Sequence, residues 1–256
     1  MTPPLPAAFT AVALAHRALH DRAAGRPENS AAAVAAAVTA GYGIEIDLQG
    51  SADGAAMVFH DDTLERLTGA TGPVRARTAA ELETLRLCGT DEGIPRLEMV
   101  LEIVGGRVPL LLELKDQSGR MAGSDGVLEA AVARALRGYG GPVAAMSFNP
   151  DVVAALAAAA PALPRGLVTQ GWAGTEAAAM PEARRAHLRA IADFERVGAG
   201  FVSHHHRDLD RPALQALRAA GVPVLCWTVR SPAEEAAARR GADGITFEGY
   251  LPASRA

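Results

Sequence analysis

The segment from Gly43 to Asp61 reads GIEIDLQGSADGAAMVFHD and combines the alternation of a β-strand with charged side chains inside an apolar pattern. Because side chains alternate along a strand, the aliphatic residues share one face, and Glu45 and Asp47 share the other. Two carboxylates two residues apart repel each other, and burying both is costly unless a cation neutralises them. The segment therefore predicts a strand beside a cation, which could be a metal ion or a basic side chain.

A chain reversal follows this strand. Asp53-Gly54 lies between strand-like residues and is typical of a two-residue β-hairpin. A turn centred between these two residues pairs the strands so that Asp47 lies opposite His60. The connection from Leu48 to Met57 is too short for the crossover of about ten residues that a parallel strand needs, so the returning arm must be antiparallel.

The rest of the chain alternates apolar strands with helices that are marked by capping residues and glycines. Besides the segment above, strands are predicted over residues 11–16, 108–115, 143–148, 165–169, 200–204, 223–230 and 244–247. Helices are predicted over 31–40, from Thr78, over 96–104 with Pro95 in the first turn, over 126–137, from Asn149-Pro150, over 182–196, after Asp210 as the cap and from Ser231 to Gly241.

Eight strands remain when the antiparallel arm is excluded, and this number favours a closed (β/α)8 TIM barrel over an open doubly wound sheet. The length of 256 residues suits such a barrel. The glycine patterns of nucleotide-binding doubly wound sheets are missing from the sequence. We expect a single domain over residues 1–256, with an insertion at about 50–95 that holds the hairpin and a short helical segment.

Composition restricts the partners and the compartment. A net charge of −4 and a pI near 6.0 give no reason to expect nucleic acid or an anionic membrane as a partner. No stretch reaches the roughly 20 apolar residues of a membrane helix, and the N-terminal segment lacks the basic region of a signal peptide. We expect a soluble cytoplasmic protein in which Cys88 and Cys226 are reduced thiols.

Polar residues collect where the carboxyl ends of the barrel strands are expected, which is where such barrels carry their functional groups. His16 and Arg17 follow the first strand, Glu113 and Lys115 end the third, and the hairpin returns His60 to the same rim. Three inward carboxylates offer oxygen ligands to Mg²⁺, Mn²⁺ or Ca²⁺. Neutralisation by Arg17 and Lys115 is the alternative, but three acids with two histidines favour a metal and an acid/base pair.

Other candidate residues lie at the ends of later strands. Phe148 and Trp227 are candidate substrate contacts, although plain core is about equally plausible for Trp227. Cys226 is expected to point outward as an inert buried thiol. The run His204–His206 resembles a metal site, but consecutive residues cannot all face one ion, so a loop is the favoured interpretation.

A series of short motifs spans nearly the whole chain. They are HR at 16–17, PENS at 27–30, EID at 45–47, DG at 53–54, VFHD at 58–61, LERLT at 64–68, IPRL at 94–97, ELK at 113–115, SF at 147–148 and CWTV at 226–229. In these motifs and in their order the chain resembles the glycerophosphodiester phosphodiesterase family. Two positions depart from the family pattern: Ala18 stands where the family usually has glycine, and Phe247 follows Thr246 where the family often has aspartate.

The resemblance implies a TIM barrel with an inserted segment after the second strand, and hydrolysis of a glycerophosphodiester to glycerol 3-phosphate and an alcohol. It implies the following site: one divalent cation on Glu45, Asp47 and Glu113, an acid/base pair of His16 and His60, and phosphate contacts from Arg17 and Lys115. Which histidine is the acid, and whether a cyclic phosphate or direct water attack is used, stay open. A lysophospholipase D-like enzyme and an inactive binding relative are the alternative functions.

Overall fold

Eight parallel strands close into a barrel in the computed structural model, which describes residues 2–173 and 180–253. The strands are β1 (Leu14–Ala15), β2 (Gly43–Gly50), β3 (Ala56–Val58), β4 (Leu110–Leu114), β5 (Val143–Ser147), β6 (Arg165–Thr169), β7 (Phe201–His205), β8 (Val224–Val229) and β9 (Gly244–Phe247). β1 pairs in parallel with both β2 and β9, which closes the ring, whereas β3 pairs antiparallel with β2 outside it. The predicted TIM barrel is confirmed; the single-domain boundaries stay a prediction, and residues 1, 174–179 and 254–256 lie outside the described residues.

Helices alternate with the barrel strands as predicted. They are α1 (Ala8–Ala11), α2 (Ala31–Ala40), α3 (Glu65–Thr68), α4 (Ala79–Thr84), α5 (Leu97–Val104), α6 (Val127–Ala135), α7 (Pro150–Ala159), α8 (Glu182–Arg189), α9 (Pro212–Ala219) and α10 (Pro232–Ala238). Ser30 caps α2 through its side chain, and Thr78 with Glu81 forms the predicted capping box of α4. None of the helices in the described ranges has the length and apolar character needed to cross a bilayer.

Some predicted boundaries are wrong. The first strand is only two residues long, and a short helix, α1, ends at Ala11, where the strand was expected to begin. The cap of α9 is Arg211 rather than Asp210, and it makes no side-chain cap bond. Pro95 precedes the cap of α5, where its carbonyl accepts a hydrogen bond from Val58. The helix predicted over 182–196 stops at Arg189.

The two faces of the strands pack into separate apolar clusters. Ile44, Ile46 and Leu48 of β2 face the surrounding helices, and so do Leu112 and Leu114 of β4. The barrel interior is filled by a smaller cluster that includes Leu14, Leu111, Met146, Phe201, Leu225 and Phe9 of α1. A barrel filled in this way is a packed core, so the polar inward residues are confined to the carboxyl end of the strands.

The antiparallel arm is confirmed, but its predicted register is wrong by one residue. Leu48 pairs with Val58, and the amide of Phe59 donates to the carbonyl of Asp47 at 3.0 Å, so Asp47 lies opposite Phe59 rather than His60. The cause is a turn longer than two residues: the Ser51 amide donates to the Ala55 carbonyl at 3.0 Å. His60 therefore follows the last paired residue, and its backbone leaves the ladder.

The segment from β3 to α5 forms a small lobe with an apolar cluster of its own. Met57, Phe59, Leu64, Leu82 and Ile94 are fully buried within this lobe. Its start and end are tied together, because the Val58 amide donates to the Pro95 carbonyl at 2.8 Å. The lobe thus holds the His60 segment against the carboxyl end of the barrel.

Candidate active site

Three buried carboxylates converge at the carboxyl ends of β2 and β4. Asp47 and Glu113 are register partners on these neighbouring strands, and Glu45 lies two residues before Asp47 on the same face. Ligand oxygens of all three lie within 4.8 Å of one another. Within the described ranges this is the one group of three or more histidines, cysteines or acids close enough to share an ion. The cluster brings together the residues that were predicted to hold the metal.

Basic side chains neutralise part of this cluster. The Lys115 Nζ atom lies 2.6 Å from Asp47 Oδ1 and 2.5 Å from Glu113 Oε1. Burial acts to lower the pKa of Lys115, but the two carboxylates outweigh burial and raise it. For Asp47 burial acts in the opposite direction, and Lys115, His60 and Arg17 together hold its pKa below the usual range. The predicted alternative, neutralisation by basic side chains, therefore holds for two of the three acids.

Glu45 is the acid that keeps no cation beside it. Its Oε2 atom accepts the Arg17 amide at 3.0 Å, and none of the described ion pairs includes it. Burial, followed by the charges of Asp47 and Glu113, raises its pKa well above the usual value. A buried carboxylate in this state favours a proton or a further cation. Three convergent carboxylates, one of them unpaired, fit a hard divalent cation that prefers oxygen ligands.

The turn after β1 positions Glu45. Arg17 and Ala18 both have positive φ angles, 52° and 65°, so two left-handed residues in succession reverse the chain tightly. The Ala18 amide donates to the Glu45 carbonyl at 2.9 Å, beside the bond from the Arg17 amide to the carboxylate. Ala18 thus occupies a conformation that glycine adopts readily, at the position where the family usually has glycine. The Arg17 guanidinium binds Glu28 at 2.7 Å and lies 3.5 Å from Asp47.

Both predicted acid/base histidines face the cavity that contains the carboxylates. This cavity measures about 160 Å³, and its lining includes His16, His60, Arg17 and Lys115. Burial and the Lys115 charge lower the pKa of His60, although Asp47 opposes them. The Nδ1 atom of His60 lies 2.7 Å from Asp61 Oδ1, so Nε2 is the ring nitrogen that Asp61 does not engage.

Aromatic side chains form another part of the cavity lining, called the aromatic wall here. Phe148 and Trp227 are half-buried and meet edge to face at a centroid distance of 5.4 Å. Trp172 packs on Phe148 at 5.7 Å, and His205 packs on Trp227 at 5.2 Å. Phe148, Trp227 and His205 line the cavity, so this wall offers apolar contact to a bound molecule.

Two polar residues of the site were missed from the sequence. Asn29 belongs to the PENS motif, but no site role was predicted for it; its side-chain amide donates to Asp47 Oδ2 at 2.9 Å and its Oδ1 accepts the Asp47 amide at 3.3 Å. Glu248 lies just beyond β9, and its Oε2 atom is 2.8 Å from His16 Nδ1. The sequence signal for Asn29 was its place within a motif, and the signal for Glu248 was an acid at the end of a predicted strand.

The histidine run and the two cysteines are the remaining residues that the sequence analysis considered. His204 is buried and its Nδ1 atom lies 2.6 Å from Thr169 Oγ1; burial lowers its pKa to about 4 despite Asp208. His205 faces the cavity instead, so the three consecutive histidines do not converge, as expected. The loop interpretation is wrong for His204 and His205, which belong to β7. Cys226 packs with the outer cluster, where burial raises its pKa to about 12, and both Cys226 and Cys88 are free thiols.

Known proteins are similar to this chain in both sequence and fold. The model of the glycerophosphoryl diester phosphodiesterase family matches residues 16–248. A Bacillus subtilis protein, YhdW, provisionally named a glycerophosphodiester phosphodiesterase, is 28% identical over 245 residues, which cover 92% of this chain and 93% of YhdW. An Oleispira antarctica phosphodiesterase, solved with the product sn-glycerol-3-phosphate, superposes with a TM-score of 0.73 at 25% identity, covering 94% of each chain.

A further solved structure supports the fold. The glycerophosphodiester phosphodiesterase of Thermotoga maritima superposes with a TM-score of 0.69 at 23% identity, over 92% of this chain and 93% of that one. Sequence and fold thus agree over nearly the same residues. The chain belongs to the glycerophosphoryl diester phosphodiesterase family, and it is an enzyme of the hydrolase class.

Proposed function

We propose that this enzyme hydrolyses water-soluble glycerophosphodiesters to glycerol 3-phosphate and an alcohol. The observation that carries the proposal is one cavity whose lining includes three convergent carboxylates, the histidines His16 and His60, and the cationic side chains of Arg17 and Lys115. The related Oleispira antarctica enzyme was solved with sn-glycerol-3-phosphate as its product, which supports the same product here.

One divalent cation would be held by Glu45, Asp47 and Glu113. Mg²⁺ or Ca²⁺ is favoured and Mn²⁺ is acceptable, since each of these ions prefers oxygen ligands. A divalent cation supplies positive charge that stabilises negative charge on phosphoryl oxygens. The unpaired state of Glu45 among the buried acids supports this assignment.

Arg17 and Lys115 bind the remaining phosphate oxygens in this proposal. Both line the cavity, and the Arg17 guanidinium is already fixed by Glu28. A planar guanidinium suits paired oxygen acceptors, and the Lys115 ammonium adds a compact charge. The aromatic pair Phe148 and Trp227 would contact the carbon atoms of the glycerol or of the alcohol.

His16 and His60 exchange the protons of the reaction. One imidazole removes a proton from the attacking hydroxyl while the new phosphorus–oxygen bond forms, and the other gives a proton to the departing alkoxide as its bond to phosphorus breaks. The attacking hydroxyl is either the neighbouring glycerol hydroxyl, which gives a cyclic phosphate that water then opens, or water itself. Both routes end in the same products and use the same two histidines.

The shape of the surface favours small substrates over lysophospholipids. Among the described residues, the exposed large hydrophobic side chains are Met99, Val127 and Leu251. They lie on α5, at the start of α6 and beyond β9, and none of the three lines the cavity that contains the carboxylates, so a long acyl chain would find no exposed large hydrophobic side chain there. The cytoplasmic location stays a prediction.

A substrate panel tests this function. Purified protein is stripped with a chelator and assayed for release of glycerol 3-phosphate from glycerophosphocholine, glycerophosphoethanolamine, glycerophosphoglycerol and lysophosphatidylcholine, with Mg²⁺, Ca²⁺ or Mn²⁺ restored. We expect hydrolysis of the water-soluble diesters only after a divalent ion is restored. Full activity in excess chelator would refute the metal, and an inert protein with every ion would favour the inactive binding relative. Preference for lysophosphatidylcholine would favour the lysophospholipase D-like alternative.

A further inference from the structure

His16 is held through one ring nitrogen by an acid from the other end of the described chain. Its Nδ1 atom lies 2.8 Å from Oε2 of Glu248, and the two residues are separated by 232 positions in the sequence. The His16 side chain is 15% exposed and that of Glu248 27%, so the contact is partly shielded from water. A hydrogen bond to a charged group in such surroundings is stronger than one between neutral groups.

The backbone fixes both partners of this contact. The His16 amide donates to the Phe247 carbonyl at 2.9 Å where β1 meets β9, and the Glu248 amide donates to the Val229 carbonyl at 2.9 Å. The strand pairing that closes the barrel thereby sets where the carboxylate and the imidazole can meet. Neither side chain depends on a flexible loop for its position.

Two further basic side chains, an arginine and a histidine, face the Glu248 carboxylate. Arg230 Nη2 lies 3.2 Å from Oε2, and His20 Nε2 lies 4.0 Å from Oε1. The hydrogen bond from His16, with the charge of Arg230, lowers the pKa of Glu248 to about 2. The acid is therefore ionised at neutral pH, where it accepts hydrogen bonds only.

We propose that Glu248 is a positioning residue for His16, one that holds the proton on Nδ1 and turns Nε2 toward the phosphodiester. The proposal rests on the proposed function, because it assigns Glu248 a part in that reaction. An ionised partner at Nδ1 fixes the tautomer and stabilises the imidazolium that forms whenever Nε2 takes up a proton.

His60 shows the same arrangement built from different elements. Its Nδ1 atom faces Asp61 Oδ1 at 2.7 Å, and Arg66 binds Asp61 as Arg230 binds Glu248. Each catalytic imidazole thus has a carboxylate behind it, and each carboxylate has an arginine. Because the same pattern occurs on two unrelated parts of the chain, it supports the same positioning role for Asp61 and Glu248.

Kinetics of Glu248→Gln test the proposal, because glutamine keeps the shape and an acceptor oxygen but loses the charge. With Mg²⁺ present, we expect kcat to fall about tenfold to a hundredfold, the range typical when the partner of a functional histidine is lost. KM and the Mg²⁺ affinity by titration calorimetry should be unchanged. Glu234→Gln is the matched control, since Glu234 binds Arg207 and the Arg230 amide nearby but contacts no catalytic group; its kcat should equal that of the wild type.

A double-mutant cycle separates positioning from a structural role. In the His16→Ala background, adding Glu248→Gln should cost no further activity, because the imidazole that Glu248 positions has gone. An equal further loss in that background would show a structural role and overturn the proposal. Glu248→Asp is a second variant that keeps the charge but withdraws the carboxylate, and it should show an intermediate loss.

Nuclear magnetic resonance provides a measurement that does not depend on turnover. Long-range ¹H–¹⁵N spectra report which nitrogen of each imidazole carries the proton, and the His16 signals are those missing from His16→Ala. We expect His16 to be protonated on Nδ1 in the wild type and to lose this preference in Glu248→Gln. Unchanged His16 signals would overturn the positioning role, whereas a wild type that hydrolyses no glycerophosphodiester would overturn the proposed function instead.

Discussion

The Nζ atom of Lys115 lies 2.6 Å from Oδ1 of Asp47, so an ammonium group shares a carboxylate with the proposed metal site. Lys115 also binds Glu113, and it therefore competes with a divalent cation for two of the three acids. Because Lys115 competes with the metal ion and is also proposed to bind phosphate, removing its side chain should affect the metal affinity and the activity differently.

Replacing Lys115 by methionine should strengthen divalent-cation binding and destabilise the ion-free protein. Divalent cations should bind the variant more tightly, because Asp47 and Glu113 lose their internal cation. The ion-free variant should be less stable by about 3 kcal/mol, as is typical when one partner of a buried ion pair is removed. Calorimetric titration with Mg²⁺ and thermal unfolding with and without the ion measure both effects, and weaker Mg²⁺ binding would contradict the proposed competition.

The two histidines should differ on a substrate whose leaving group needs no proton. His16→Ala and His60→Ala should each lower kcat by about a hundredfold to ten-thousandfold on a glycerophosphodiester, with little change in metal affinity. A nitrophenyl ester should restore the variant that lacks the acid and leave the other one impaired. Equal impairment of both variants on the nitrophenyl ester would show that the division between acid and base is wrong.

Gln49 should matter because it supports the His60 segment from β2. Its side-chain amide donates to the His60 carbonyl at 3.2 Å and to Asp62 Oδ1 at 3.0 Å, and its Oε1 accepts from Gln117 at 2.8 Å. Gln49→Ala should lower the free energy of unfolding by about 1–3 kcal/mol, because buried partners lose their hydrogen bonds. Its kcat should also fall, and a kcat equal to that of the wild type would show that His60 is positioned without Gln49.

Ala18→Gly should cost less stability than a glycine substitution at another buried alanine. Ala18 has φ 65°, a left-handed conformation that costs an L-residue roughly 1–2 kcal/mol, whereas glycine adopts it freely. The lost burial of the methyl group and the greater entropy of unfolded glycine offset most of this gain, so the free energy of unfolding should change by less than about 1 kcal/mol. Denaturant unfolding measures the change, with Ala33→Gly in helix α2 as a matched control: the Ala33 methyl is also buried but its backbone is helical, so this variant should lose about 1–2 kcal/mol. Equal losses in both variants would contradict strain at Ala18.

His204 should contribute to the pH dependence of stability. Its pKa is about 4 in the folded protein and near 6.5 when unfolded, so between these values the unfolded chain binds more protons. The stabilisation from neutral His204 is therefore present above pH 6.5 and is lost as the pH falls toward 4. Urea unfolding at pH 7 and pH 4 should show a larger loss in the wild type than in His204→Gln. Identical losses in the two proteins would contradict the burial of a neutral imidazole.

The barrel and most of its site could be predicted because they depend on local patterns. Alternation along β2 places Glu45 and Asp47 on the inner face, and parallel pairing then brings Glu113 beside them. The carboxyl ends of all parallel strands meet at one rim, which is why residues from distant motifs could be assigned to one cavity.

The remaining features depend on contacts that no local pattern contains. The contact between His16 and Glu248 joins residues 232 positions apart, and it exists only because β9 pairs with β1. The register of the hairpin depends on the Ser51 side chain, which accepts the Ala55 amide and donates to Asp53, and so favours a longer turn than Asp53-Gly54 predicts. The placement of Lys115 among the acids follows from the balance of burial and charge, which the sequence does not quantify.

The barrel seam between β1 and β9 has a consequence for biosynthesis. β1 leaves the ribosome before β9 and Glu248, because it precedes them in the chain. A nascent chain that lacks β9 has an open sheet edge at β1 and a His16 without its carboxylate. Closure of the barrel, and with it the contact between His16 and Glu248, therefore waits until β9 has been synthesised.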